Sequence, residues 1–407
     1  MVQTVTSPPV PLAARMDRVR SSAIRELLAH AEQPGVISLA GGMPAPETFP
    51  VGAIAAALAA VLAEASPGAL QYSMTEGIAM LRAWIAEQHS GTHRPAALDQ
   101  VLVTHGSQQA LDLVARATVD PGTVVALADP GYIGAIGAFR LAGARLAAIP
   151  SDRDGLVVDA LAERLSEGLR PALVYVVANF DNPTGATLSR SRRRALAALA
   201  DRFGFLIVDD DPYGHLRWAG DAIPGLARWS ERVVSLGTIS KLVAPGLRVG
   251  YAVGPAELIR AMVLLKQATD LHTGTLAQHV ALRLLAEPGF VAEQADRLRP
   301  VYRHRAEVLA AALRAELGEA VRFRDPEGGM FIWASIDGPG VDTARLLPAA
   351  IGRGVAYVPG SAFGIEAAHR AELRLSFATA GPDELRRAAA RLAEVLSGPW
   401  AGEHSTR

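Results

Sequence analysis

From about residue 100 to 254, short apolar runs alternate with segments of helical period, a pattern that predicts parallel strands covered on both faces by helices. The runs are VLVTHG (101–106), TVVALADP (123–130), RLAAIP (145–150), ALVYVVANF (172–180), FLIVDDD (205–211), RVVSLGTIS (232–240) and VGYAVG (249–254). Between them lie amphipathic stretches such as QQALDLVARAT and SRRRALAALADRF. Seven strands with such crossovers make one α/β domain around a mostly parallel sheet.

Beyond about residue 280 the pattern changes. A long helical run, ALRLLAEPGFVAEQADRLRPVYRHRAEVLAAALRAEL, precedes GGMFIWASI and AELRLSFAT, which alternate like strands with one wet face. Pro300 inside that run predicts a kink or break, because proline lacks the backbone donor and crowds the preceding turn. The expected division is a large α/β domain over 51–285 and a smaller α+β domain built from 13–50 and 286–400.

Composition narrows the possible partners. Half of the 407 residues are apolar and a fifth are charged, as in a soluble globular protein. A net charge of -1, with no run of Lys and Arg, leaves no electrostatic footprint for nucleic acid or an anionic membrane. The absence of cysteine excludes disulfides, thiolate metal sites and a cysteine nucleophile. A cytoplasmic location is therefore expected. The opening MVQTVTSPPVPLAARMDRVR does not read as a signal peptide, and no apolar stretch of about 20 residues occurs.

In an open α/β sheet, ligands bind beyond the carboxyl ends of the strands. The polar residues there are Ser107 and Gln108, Tyr132, Asn182, Asp210 with Tyr213, and Lys241. Singly, each has an ordinary role: Ser107 as a helix N-cap, NPTG as a turn, Lys241 as a solvated cation. Asp209, Asp210 and Asp211 read as a solvated acidic end, although three carboxylates are costly to bury without a cationic partner. Together with Arg248, they form a set that one cofactor requires. Pyridoxal phosphate needs an amine for its aldehyde (Lys241), an acid to keep its ring nitrogen protonated (Asp210), and N–H donors with a cation (Arg248) for its phosphate. Burial and nearby positive charge would lower the pKa of Lys241, as an amine nucleophile at neutral pH requires.

The motifs ISLAGGMPAPETFP, LQYSMTEG, VTHGSQQALDL, DPGY, NFDNPTG, VDDDPYGHL, GTISKLVAPGLRVGY, EGGMFIWASI, YVPGSAFG and LRLSFA follow one another along nearly the whole chain. In that order they resemble the class I/II aminotransferases of pyridoxal-phosphate fold type I, most closely the aminoadipate and kynurenine aminotransferase group. The resemblance implies that Lys241 is the covalent handle, Asp210 the partner of the ring nitrogen, Asn182 and Tyr213 the partners of the ring hydroxyl, and Tyr132 a stacking group. It places Ser107, Gln108, Thr238, Ser240 and Arg248 around the phosphate, with Tyr72 reaching in from the neighbouring subunit of a homodimer. It makes Arg374 the clamp for the substrate α-carboxylate, beside Asn182 and Gly42, and sets Ser22 and Arg25 of SSAIRELLAH over the substrate side chain.

The implied reaction moves an amino group between an L-amino acid and a 2-oxo acid such as 2-oxoglutarate, with ping-pong kinetics, in amino-acid or specialised-metabolite biosynthesis. Two rivals share these motifs: another outcome of the same cofactor (decarboxylation, elimination or oxidation), and an aminotransferase-like effector-binding protein. A nicotinamide enzyme is disfavoured, since no G-x-G-x-x-G follows any strand, and no metal motif such as H-E-x-x-H is present. Thr238 stands where the family more often has serine, and Met74 where it has proline before TEG.

Overall fold

The computed structural model describes residues 12–13, 16, 35–64 and 66–396. Its first strand, Ile37–Ser38 (β1), belongs to a small parallel ribbon taken up below. The large sheet comprises Val101–Thr104 (β2), Val124–Asp129 (β3), Arg145–Asp152 (β4), Gly155–Leu156 (β5), Leu173–Val176 (β6), Leu206–Asp210 (β7), Val233–Thr238 (β8) and Gly250–Val253 (β9). All seven expected strands are present. The eighth, β5, is a two-residue return paired with β4, too short for any periodicity to reveal.

Strand order is β2-β9-β8-β7-β6-β3-β4-β5. Only β9 and β5 run against their neighbours, so β2, β8, β7, β6, β3 and β4 all end on one edge. Chain order reverses around β3, whose neighbours β4 and β6 lie on opposite sides. A crevice opens at such a switch point.

Period-two alternation assigns each strand residue to a face. Leu173, Tyr175 and Val177 join one core with Val125, Leu127 and Val208, whereas Val174, Val176 and Ala178 join the other with Ala126 and Ile207. The same alternation separates the three aspartates that follow Val208. Helices cover both faces: Gly106–Thr118 packs Leu111 and Val114 into the first core, and Arg190–Phe203 packs Leu196 and Ala200 into the second. The latter helix begins on a Ser189 cap and stops at Gly204, whose left-handed φ of 82° an ordinary side chain would resist.

A second, antiparallel sheet contains Val321–Arg322 (β10), Phe331–Ile336 (β11), Val358–Pro359 (after Val355–Ala356, β12, and here β13) and Glu372–Ser376 (β14), in the order β10-β11-β14-β13. β1 pairs with β12, and Ser376 donates its backbone N–H to Leu39 O at 2.7 Å. These bonds hold the segment from Ala40 to Met43 beside β14. The polar positions of β14 do not form a wet face. Arg374 and Ser376 are each only 1 % exposed, because the β1 segment and the loop before β14 close over them.

The helical run behind this sheet, Phe290–Leu317, continues through Pro300 without a break. Its buried stripe, including Leu298, Tyr302, Leu309 and Leu313, packs against the helix Pro382–Leu396. Packing along both halves holds the axis although one internal hydrogen bond is lost. Among the described residues, no helix is long and apolar enough to cross a membrane.

Candidate active site

At the common carboxyl edge lies a cavity of about 420 Å³. Its wall includes Ser107 and Gln108 after β2, Tyr132 after β3, Asn182 after β6, Asp210 and Tyr213 at the end of β7, and Thr238, Ser240 and Lys241 at the end of β8. Arg248 enters from the turn before β9, Gly42 from the segment after β1, and Arg374 from β14. Residues spread over more than 330 positions thus meet, as the 334-residue separation between hydrogen-bonded Ala40 and Arg374 illustrates. Three further residues were expected near the site, Tyr72 among them as a contribution from a second subunit. Tyr72 is 77 % exposed, with its ring edge-on to His272 at 5.7 Å, and does not line the cavity. Ser22 and Arg25 lie outside the described residues.

The three aspartates have separate partners because alternate residues face opposite ways. Asp209 Oδ2 accepts from Leu226 N at 3.1 Å, on the side of the buried Arg193. Asp211 accepts from Asn179 Nδ2 at 2.7 Å and from Gly214 N at 2.8 Å. Asp210 points into the cavity, is 4 % exposed, and accepts at Oδ2 from the Tyr175 hydroxyl at 2.8 Å. Its Oδ1 is buried without a partner among the described residues. Burial, opposed by the Tyr175 hydrogen bond and reinforced by Asp211 and Asp209, pushes this carboxyl up to about 7. An orphaned carboxylate oxygen is a position that a cationic N–H donor would satisfy.

Lys241 donates from Nζ to Gly42 O at 2.7 Å. Burial first, then the charges of Arg374 and Arg248, lower its pKa to about 8. The chain has only one other lysine, Lys266, which is fully buried and bonded to Asp270 and Gln109. Lys241 is thus the one lysine whose amine faces the cavity.

Thr238, Ser240 and Arg248 form a cradle with the helix that starts at Gly106. Thr238 Oγ1 lies 2.9 Å from Ser240 Oγ. Arg248 has a left-handed φ of 51° and donates from Nη2 to His105 O at 3.1 Å. A strained non-glycine backbone of this kind clusters at functional sites. The close approach requires two glycines: a Cβ on Gly106 would sit 2.8 Å from Arg248 Nη2, and one on Gly250 would sit 2.7 Å from Ser107 N. Ser107 is not the N-cap; the cap position is His105, which makes no side-chain cap bond. The first turn therefore keeps backbone N–H groups free of side-chain capping, at the positive end of the helix dipole.

Arg374 lines the same cavity. Its Nη1 donates to Asn182 Oδ1 at 2.7 Å and its Nη2 to Ala40 O, while Nε has no partner among the described residues. The guanidinium carbon stands 4.3 Å from the ring centre of Phe331 and 5.1 Å from that of Phe363. Burial, partly offset by Tyr213 and Tyr132, lowers its pKa to about 10, so it stays charged at neutral pH.

Several wall residues escape a sequence reading: Met43, Tyr175, Val177, Pro212, Pro245 and Phe331. Tyr175 has a usable signal, a lone hydroxyl in the aliphatic run LVYVV with the same parity as the residues facing the first core. Phe331 carries none, since an aromatic residue at the start of a strand is ordinary core.

The donors present match one group. An amine of lowered pKa, a buried acid with an open oxygen, and a cradle of hydroxyls, arginine and helix start suit the aldehyde, ring nitrogen and phosphate of pyridoxal phosphate. On this fold, they define a fold type I enzyme that depends on pyridoxal phosphate.

Sequence comparison is specific about the family. The family model for aminotransferase class I and II matches residues 34–392. The 2-aminoadipate transaminase of Thermus thermophilus is 40% identical over 386 residues, 94% of this chain and 95% of that protein. An aromatic-amino-acid aminotransferase of Thermococcus litoralis is 38% identical over 385 residues, 93% of this chain and 92% of that protein. The crystal structure of the Thermus thermophilus α-aminoadipate aminotransferase, complexed with N-(5'-phosphopyridoxyl)-L-leucine, superposes with a TM-score of 0.88 at 39% identity, covering 95% of this chain and 97% of that one. The chain belongs to the class I and II aminotransferases, enzymes that move an amino group between an amino acid and a 2-oxo acid with pyridoxal phosphate.

Proposed function

We propose that this aminotransferase uses Lys241 as its covalent handle and proton carrier, Asp210 as the acid partner of the ring nitrogen, and Arg374 as the clamp for the substrate α-carboxylate. The observation that carries the reading is the pair of buried polar atoms without a partner among the described residues, Asp210 Oδ1 and Arg374 Nε, on residues that line one cavity together with Lys241. When bound, pyridoxal phosphate supplies an electron-withdrawing ring that stabilises negative charge at the substrate's Cα.

The remaining chemistry belongs to the chain. Ser107, Gln108, Thr238, Ser240 and Arg248 would hold the phosphate, the arginine through a planar fork suited to it. Asn182 and Tyr213 would hydrogen-bond the ring hydroxyl, and Tyr132 would face the ring. Arg374 fixes the amino acid by two parallel hydrogen bonds, with Gly42 and Asn182 alongside. Lys241 Nζ, with its pKa lowered to about 8, takes the proton from Cα near neutral pH.

For the amino donor we propose an L-amino acid with an aromatic or long side chain, with 2-oxoglutarate or a similar 2-oxo acid as acceptor. The activities for which the Thermus and Thermococcus relatives are named and the apolar walls of Met43 and Phe331 support this. Ser22 and Arg25 remain proposed contacts to the distal end of the side chain.

A homodimer is part of the same proposal. Exposed Leu58, Leu62, Leu70, Tyr72, Met74 and Met80 lie on consecutive segments, an apolar surface suited to a second copy, and Tyr72 there is free to reach a neighbouring cavity. The division into a cofactor domain of 51–285 and a smaller domain of 13–50 with 286–400, and a cytoplasmic location for a chain without cysteine, complete the proposal.

Single-turnover incubation of purified holoenzyme with one amino acid at a time tests the chemistry. One 2-oxo acid should be released per pyridoxamine phosphate formed. Release of carbon dioxide or peroxide in its place would overturn transamination as the reaction.

A further inference from the structure

Asp129 ends β3, three residues before Tyr132, and is buried. Its carboxylate accepts four hydrogen bonds from a single segment of the other sheet's connections: Oδ1 from Ile365 N at 3.1 Å and His369 Nε2 at 2.9 Å, Oδ2 from Glu366 N at 3.0 Å and Ala367 N at 2.8 Å. Gly131 N donates to Phe363 O at 3.0 Å, adding a backbone bond to the same segment. His369 is held at a left-handed φ of 42°, a conformation that an ordinary side chain adopts only when its surroundings fix it.

The segment so anchored touches the clamp. The Phe363 ring lies 5.1 Å from the Arg374 guanidinium carbon, on which Phe331 also packs at 4.3 Å. Trp333, the partner of Arg374 across the β11–β14 ladder, stands edge-on to Phe363 at 5.6 Å and to His369 at 6.0 Å. A continuous path of contacts therefore runs from the end of β3 to the one group that reads a substrate carboxylate.

We propose that Asp129 is a positioning residue for amino-acid binding: by anchoring residues 363–369 to the end of β3, it sets Phe363 against Arg374 and thereby fixes the angle of the guanidinium fork. The inference rests on the reading of Arg374 as the clamp. A bidentate contact needs its fork aimed within a narrow angle, and a ring stacked on the guanidinium restricts its tilt. An ionised carboxylate accepts from all four donors at once; an amide in its place keeps one acceptor oxygen and turns its NH2 group toward two of the donors, either Ile365 N with His369 Nε2 or Glu366 N with Ala367 N. Asp129 does not line the cavity, so its loss should spare the cofactor site and weaken carboxylate recognition.

The test uses cofactor-saturated full-length enzyme carrying Asp129→Asn, Phe363→Leu or both, with Arg374→Lys in parallel. Each single variant should raise KM for amino acid and 2-oxo acid together by roughly 10-fold, with a smaller change in kcat and an unshifted absorption band of the Lys241-bound cofactor. The double variant should resemble the worse single, because both changes interrupt one path. A general structural role would lower the melting temperature and kcat without this KM pattern. Unchanged KM in Asp129→Asn, or effects that multiply in the double variant, would overturn the proposal. Should Asp129→Asn not fold, His369→Gln replaces it in the same cycle with Phe363→Leu, with a KM rise of roughly 3-fold expected and the same overturning results. Arg374→Lys separates the two levels: an unchanged KM there removes the clamp itself, whereas a raised KM there beside an unchanged KM in Asp129→Asn removes only the positioning role.

Discussion

Arg374 Nη1 donates to Asn182 Oδ1 at 2.7 Å, joining the middle of one sheet to the switch-point loop of the other across 192 residues of chain. This bond fixes the guanidinium, whose Nε has no partner among the described residues. Arg374→Ala removes a buried charge and the bidentate contact, and should raise KM for the amino acid about 10²- to 10³-fold. Arg374→Lys should recover little, because a point charge does not reproduce a planar fork. Initial-rate kinetics with varied amino acid at saturating cofactor checks both.

Asp210 gives a pH signature to the cofactor-free protein. Folded, its carboxyl is held up at about 7; unfolded, it titrates near ~3.9. Between those values the folded state holds the extra proton, so this group's contribution to stability falls as pH rises from about 4 to 7 and then levels off. Asp210→Asn removes the effect. Stripped of cofactor, the variant should be more stable than the parent at pH 8, by on the order of 2–4 kcal/mol, and nearly equal to it at pH 4. Urea unfolding at the two pH values measures this; an equal gap at both would refute it. With cofactor bound, the order should reverse, since a cationic ring nitrogen then satisfies the carboxylate.

The elements that were legible in sequence are those whose chemistry is local. All seven long strands showed as apolar runs, and the strand ends named Ser107, Tyr132, Asn182, Asp210 and Lys241 because a parallel sheet leaves few other places for polar groups. Tertiary contacts overrode local signals elsewhere. Arg374 and Ser376 looked like a solvated strand face, yet the β1 segment, hundreds of residues earlier, covers them. Pro300 looked like a helix break, yet packing on both sides of it keeps Phe290–Leu317 continuous. Phe331 and Phe363 became visible only as neighbours of a guanidinium, a relationship without periodicity or spacing.

Tyr72 makes a prediction about assembly. It lies exposed beside His272 and away from its own chain's cavity, as suits a group that serves a second copy. Tyr72→Ala and Lys241→Ala should each be inactive or nearly so alone. Co-expressed, they should form mixed dimers in which one site carries both intact residues, restoring roughly a quarter of the parent activity for random pairing. No recovery in verified mixed dimers would place Tyr72 outside the partner's site.

The most direct measurement is borohydride reduction of the holoenzyme followed by peptide mass mapping. With only Lys241 and the fully buried Lys266 as lysines, the assignment of the adduct is unambiguous. A reduced phosphopyridoxyl group on the peptide containing Lys241, and its disappearance in Lys241→Ala, is the result predicted. An adduct on Lys266, or none in a protein that binds the cofactor, would contradict the assignment of Lys241 and the site built around it.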